Sequence, residues 1–221
     1  MIQLRLCNER GAADHVWLQS YHSFSFASYY DKRYMGVSAL RVINDDTVAP
    51  GMGFSTHSHQ DMEIISFVTQ GTIEHKDSMG NIRQIPAGEF QLMSAGSGVT
   101  HSEYNPSKTE TLKFLQIWIQ PNEYGIDPDY QQRQFPHHEG FQLIASSDAT
   151  DGSFKIHQDV NVYHLNLVQG MSVRQSCHTR TLYVHLISGT IKIDDTELTA
   201  GDGAKINDIA EVSFETDTQA E

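Results

Sequence analysis

Apolar residues recur along this chain in short runs and not at helical spacing. β-Branched and aromatic side chains dominate "SALRVIND" (38–45), "EIISFVTQGTI" (63–73), "TLKFLQIWIQ" (111–120), "NVYHLNLVQG" (161–170) and "LYVHLISGTIKI" (182–193). Such runs, separated by Gly, Asn, Asp and Pro clusters at about 8–12 residues, predict strands of an all-β sandwich or barrel. "APGMG" (49–53), "DSMGN" (77–81) and Asp194–Asp195 are the predicted turns, because these residues tolerate tight or left-handed backbone. Residues 120–140, "QPNEYGIDPDYQQRQFPHHEG", are polar and hold no sustained period, so a linker with one short helix is expected there. Trp17, Phe24 and Phe26 are expected in the core, and Met62 and Met93 are expected to fill a barrel interior.

The pattern also repeats. "FVTQGTI" (67–73) is echoed by "HLISGTI" (185–191), and "PAGEF" (86–90) by "TAGDG" (199–203), in the same order. Two matches beside strand-like runs point to a duplicated β unit.

Composition narrows the function classes. The 221 residues carry a formal charge of −13, which repels phosphate backbones and disfavours direct nucleic-acid binding while leaving a basic protein partner open. Cys7 and Cys177 alone cannot build a disulfide framework. No apolar run is long enough for a signal peptide or a bilayer span, so a soluble cytoplasmic protein, not membrane-bound, is expected.

Candidate chemistry lies in two strand segments. Side chains at i and i+2 share a strand face. In "THSHQDME" (56–63), His57, His59, Asp61 and Glu63 would therefore project to one side if the strand ran unbroken. "HSE" supplies a second such pair, His101 and Glu103, after the glycine turn "AGSG" (95–98). Imidazole and carboxylate donors without thiolate suit iron, manganese, nickel, copper or zinc better than calcium or magnesium. Three histidines and one carboxylate leave coordination positions open for a substrate or dioxygen. Most other histidines, His15, His22, His75, His137, His138, His157, His164 and His185, are read as surface or hydrogen-bonded residues.

These spacings carry a resemblance. Gly51-x5-His57-x-His59-x3-Glu63, Gly71, then Gly80-x5-Pro86-x-Gly88 is similar to the cupin motifs, with the second motif's histidine late, at His101. The fuller run "GFSTHSHQDMEIISFVTQGTIEHKDSMGN…PAGEFQLMSAGSGVTHSEYNP", with "HSFSFASYYDKRYMGVSALRVINDD" (22–46) upstream, resembles the pirin branch of that superfamily. Within the branch, the chain looks most like bacterial pirin-like proteins with quercetin 2,3-dioxygenase activity. The resemblance implies an all-β bicupin, two face-to-face cupin (jelly-roll-like) β-barrels. The expected division is a metal-binding domain over 1–120, a linker over 121–145 and a second cupin domain over 146–221.

It implies one divalent metal ion on His57, His59, His101 and Glu103, with Fe(II) expected and zinc, manganese, nickel, cobalt and copper left open. Glu103 is the implied catalytic base, and Glu63 an alternate ligand or an outer partner of a ligating histidine. The implied substrates are a flavonol such as quercetin, or another small aromatic, and dioxygen, acting on a monomer. The alternative it implies is a redox-responsive regulator that binds a transcription factor or metabolic enzyme. In the second repeat, Gln175, Cys177, Phe214 and Thr216 fall where the ligands would be, so no metal is expected there. The polar ending "ETDTQAE" suggests that a closing strand of the second barrel is missing.

Overall fold

The computed structural model describes all 221 residues. Strand β1 (Ile2–Arg5) is followed by β2 (Gly11–Asp14), β3 (Leu18–His22), β4 (Leu40–Val48), β5 (Gly53–His59), β6 (Glu63–Gln70) and β7 (Thr72–Asp77). Next come β8 (Ile82–Pro86), β9 (Glu89–Ser94), β10 (Val99–Tyr104), β11 (Leu112–Ile119), β12 (Asp129–Gln134), β13 (Gly140–Ser146) and β14 (Phe154–Lys155). The last third holds β15 (Val162–Asn166), β16 (Ser172–Ser176), β17 (Leu182–His185), β18 (Thr190–Ile193), β19 (Thr196–Thr199), β20 (Gly203–Ile206) and β21 (Glu211–Glu215). Two three-residue 3-10 turns are the only helical segments, and no helix is long and apolar enough to cross a membrane.

The chain forms two compact units: residues 11–136 with 145–161, and residues 1–10 with 137–144 and 162–221. In the larger unit a seven-stranded sheet runs β12-β9-β6-β11-β4-β3-β2, and a four-stranded sheet runs β5-β10-β7-β8. The smaller unit contains the sheets β16-β21-β18-β19 and β1-β20-β17. These are jelly-roll-like cupin sheets and not closed barrels, which corrects the expected barrel closure. The ladders stop at edge strands such as β8, where Pro86 has no N–H to offer a further neighbour.

Apolar faces fill the space within each unit. Leu18, Val48, Val68, Ile73, Ile85, Leu112 and Phe114 form one cluster of the larger unit, with Trp17 and Phe54 packed on it. Ile64, Met93, Ala95 and Val99 form another, joined by Met62 and Trp118. Phe24 is buried, while Phe26 is half-buried against Trp118 at 5.4 Å between ring centroids. In the smaller unit the core runs from Leu167 to Ala220 and includes Cys177, Ile193, Leu198 and Phe214. Burying a side chain of this size stabilises the fold by roughly 1.5–3 kcal/mol.

The duplication seen in the sequence is present in the backbone. Gly71 and Gly189 both turn with φ near +80° (79° and 82°). A Cβ on either would lie 2.9 Å from the Thr111 carbonyl oxygen or 2.3 Å from that of Gln219, so both positions require glycine.

Two expectations fail here. The 120–140 stretch contains no helix, and its polar "DYQQRQ" is strand β12, paired along its length with β9. Backbone pairing is indifferent to side-chain polarity, so this edge strand left no apolar signal. Residues 57–67 are not one extended strand either, because Asp61 takes a left-handed conformation (φ 49°) and separates β5 from β6. The polar terminus is held by backbone pairing. Ala220 exchanges two 2.9 Å backbone hydrogen bonds with Leu167, and Glu221 N–H donates to the Ser188 carbonyl at 3.0 Å.

Candidate metal centre

Strands β5, β10 and β7 lie side by side, and their register assembles the site. His101 stands opposite His57 on one flank and Asp77 on the other, while Glu103 stands opposite His75. Burial alternates along β10: Val99, His101 and Glu103 are buried, whereas Thr100 and Tyr104 are exposed. Between His101 and Glu103 the pairing with β5 slips, so two steps on β10 match three on β5, from His57 to Phe54. A bulge of this kind re-aims side chains, and here it lies beside the histidines.

The ligating atoms of His57, His59 and His101 all lie within 4.8 Å of one another. His57 Nδ1 is 2.8 Å from the Ser55 carbonyl oxygen, to which it donates. That bond fixes the tautomer and leaves the Nε2 lone pair facing His101 Nε2 at 3.1 Å. Burial, and then the neighbouring imidazoles, push His59 down to about 4 and His101 down to about 3. Both rings are therefore neutral at pH 7, the form that binds a cation. His59 also packs edge-on against Trp118 at 4.9 Å.

Glu103 is held by amides. Gln91 Nε2 donates to Oε1 at 2.9 Å, the Ser66 hydroxyl donates to Oε1 at 3.4 Å, and Gln116 Nε2 donates to Oε2 at 2.9 Å. Gln116 in turn accepts from the Trp118 indole N–H at 3.2 Å. Burial raises the Glu103 carboxyl above its ordinary range, and the facing histidines and Gln91 oppose that rise. Its oxygen falls within 4.8 Å of ligating atoms of His101 and His75, in a second grouping whose three members are all buried.

His75, read from the sequence as a surface or hydrogen-bonded residue, is buried beside this cluster and hydrogen-bonded. Its Nε2 is 3.0 Å from Asp77 Oδ2. Burial pushes the Asp77 carboxyl up, but hydrogen bonds from His75 and Asn81 outweigh it and hold the group below its ordinary range. The available signal was "HKD": on a strand, His75 and Asp77 share a face. Gln91, Gln116 and Trp118 were also missed, since nothing local distinguishes them from other core-strand residues.

Glu63 is not gathered with the histidines, contrary to its reading as an alternate ligand. It lies beyond the Asp61 turn, where Ser94 Oγ donates to Oε2 at 2.9 Å and His157 Nδ1 lies 3.4 Å from Oε1. Asp61 accepts from the Gly125 N–H at 2.7 Å instead of joining the cluster. In the smaller unit, Cys177 and Phe214 belong to the apolar core, and Gln175 donates to the Ser176 carbonyl at 3.0 Å.

The donor set fits a divalent cation. Ring nitrogens of His57, His59 and His101 converge, a buried carboxylate stands next to them, and His101 Nδ1 is buried without a hydrogen-bond partner. Ser58 and Thr100, which alternate with the histidines along β5 and β10, are exposed and line a shallow surface depression on the other face of the sheet.

Known proteins share this arrangement of sequence and fold. Residues 3–119 match the Pirin family, and residues 143–221 match the family described as Quercetinase C-terminal cupin domain. The chain is 52% identical over 222 residues to the quercetin 2,3-dioxygenase of Escherichia coli K12, covering 100% of this chain and 96% of that protein. It is 40% identical over 219 residues to a pirin-like protein of Caulobacter vibrioides, covering 97% and 94%. The crystal structure of the Escherichia coli pirin YhhW in complex with nickel(II) superposes with a TM-score of 0.97 at 50% identity, covering 100% and 96%. The chain belongs to the pirin family.

Proposed function

We propose that this protein is a metal-dependent dioxygenase that opens the heterocyclic ring of a flavonol such as quercetin. The observation that carries the proposal is the convergence of His57, His59 and His101 within 4.8 Å, with Glu103 two residues beyond His101 on the same strand face. These four residues hold one divalent ion, Fe(II) in this reading. The nickel(II) complex of the Escherichia coli pirin supports a divalent ion at this site, and the name of its quercetin 2,3-dioxygenase relative supports the substrate class.

When bound, the ion would supply Lewis acidity toward the flavonol 3-hydroxyl. The protein supplies the rest. Glu103, raised by burial, is the base that receives the hydroxyl proton, and Gln91 and Gln116 aim its two oxygens. Trp118, edge-on to His59 at 4.9 Å between ring centroids, places an aromatic surface beside the metal position. Both atoms of dioxygen enter the ring-opened product, and one ring carbon leaves as carbon monoxide.

The test is anaerobic loading of the protein with Fe(II), followed by quercetin and a known amount of oxygen. One carbon monoxide released per oxygen consumed is expected. Loaded protein that neither consumes oxygen nor releases carbon monoxide overturns the proposal.

A further inference from the structure

His75 has the attributes of a metal ligand that the four-residue set leaves unused. It is fully buried, and its ring is seated against Tyr130 at 4.8 Å between centroids. His75 Nε2 lies 3.0 Å from Asp77 Oδ2, a carboxylate oxygen that accepts, so Nε2 is the nitrogen that donates. That leaves Nδ1 as a bare lone pair, buried and without a hydrogen-bond partner. A buried acceptor with nothing to accept from is costly, whereas a histidine whose other nitrogen donates to a carboxylate is the usual form of a metal-bound imidazole. His101 Nδ1 is likewise buried and unpartnered, and Glu103 stands opposite His75 across the β7–β10 ladder. One ligating atom from each of His75, His101 and Glu103 lies within 4.8 Å of the others.

We infer that the centre has a second, inner cation position, formed by His75, His101 and Glu103, in addition to the outer one at His57, His59, His101 and Glu103. This rests on the reading of the site as a metal centre and extends it to a residue outside the ligand set. The two positions differ in exposure: His57 and His59 are half-buried, while all three inner residues are buried. Both positions draw on His101 and Glu103, and two divalent ions on these shared ligands would repel each other, so the chain holds one ion at a time. The inner position retains the ion away from solvent, and the outer one presents it to substrate.

The experiment compares wild type, His57→Ala/His59→Ala, the same pair with His75→Ala, and the same pair with His75→Gln. The Gln variant keeps an amide N–H for Asp77 and guards against loss of the fold, which circular dichroism checks. Each is titrated with Cu(II), with copper per chain measured after dialysis and nitrogen couplings counted by electron paramagnetic resonance. Loss of a single outer partner costs a metal site 10–100-fold, so the double variant is expected to bind more than about 100-fold more weakly than wild type. It should still take up one ion in excess Cu(II), with couplings to two nitrogens. Either substitution at His75 should abolish that residual binding.

A double variant that binds no copper overturns the inner position, as does residual binding unchanged by both His75 substitutions. A wild type that binds no ion overturns the metal-centre reading itself, and so the two failures are distinguishable.

Discussion

Replacing Gln116 with leucine isolates the energetic weight of the amides around Glu103. The substitution keeps the side-chain bulk but removes two hydrogen bonds: the 2.9 Å donation to Glu103 Oε2 and the 3.2 Å acceptance from the Trp118 indole. Loss of a hydrogen bond to a buried carboxylate costs about 1.5–3 kcal/mol, and an orphaned indole N–H costs roughly 1 kcal/mol more. The sum, about 3 kcal/mol, corresponds to a fall in Tm of roughly 6–12 °C for a chain of this length. The sign of the pH dependence follows from Glu103. Burial already raises its carboxyl, so its contribution is most favourable below the ordinary carboxylate range and declines as pH rises through the folded value. Removing a donor to the ionised form raises that value further. The deficit of Gln116→Leu should therefore be larger at pH 8 than at pH 5. Thermal melts of metal-free wild type and variant at both pH values provide the assay. An equal drop at the two pH values, or a shift below about 2 °C, refutes the view that Gln116 stabilises an ionised Glu103.

Asp46 is raised to about 7 by burial, with the Ser20 hydroxyl opposing the rise. A raised carboxyl costs stability progressively as pH rises from its ordinary value to its folded one, so Asp46→Asn should stabilise the protein at pH 9, by up to about 4 kcal/mol, and have little effect near pH 4. Urea unfolding at the two pH values checks this, and a pH-independent change contradicts it. Gly189→Ala should destabilise by more than about 1 kcal/mol, since φ is 82° and the new Cβ would meet the Gln219 carbonyl oxygen at 2.3 Å. Gly80→Ala, with φ 94° but open space around it, should cost less in the same unfolding assay. Equal costs would mean that backbone strain, and not the contact, sets the requirement.

Much of the site was legible because strand alternation is a local rule. His101 and Glu103 at i and i+2 lie on the buried face of β10, as the period-two pattern predicts. The same rule failed at Glu63 because one left-handed residue, Asp61, ends the alternation, and aspartate gives only a weak signal of such a turn. His75 escaped notice for a different reason. Its role depends on the register that sets it opposite Glu103, and cross-strand register is a tertiary fact. Gln91 and Gln116 are two amides on different strands that meet on one carboxylate, a meeting with no trace in local sequence. Strand β12 and the residues that pair with Leu167 were unreadable because their contribution is made by backbone groups common to every residue. The duplicated Gly71 and Gly189 turns were legible, since left-handed backbone pressed against a carbonyl excludes other residues.

The claim beneath the function is that these side chains share one cation. Metal analysis of freshly purified wild type beside His57→Ala/His101→Ala tests it most directly, because His101 serves both proposed positions. One divalent ion per chain in wild type and none above buffer background in the variant is the predicted result. A folded variant that keeps its ion at the wild-type ratio would contradict the account.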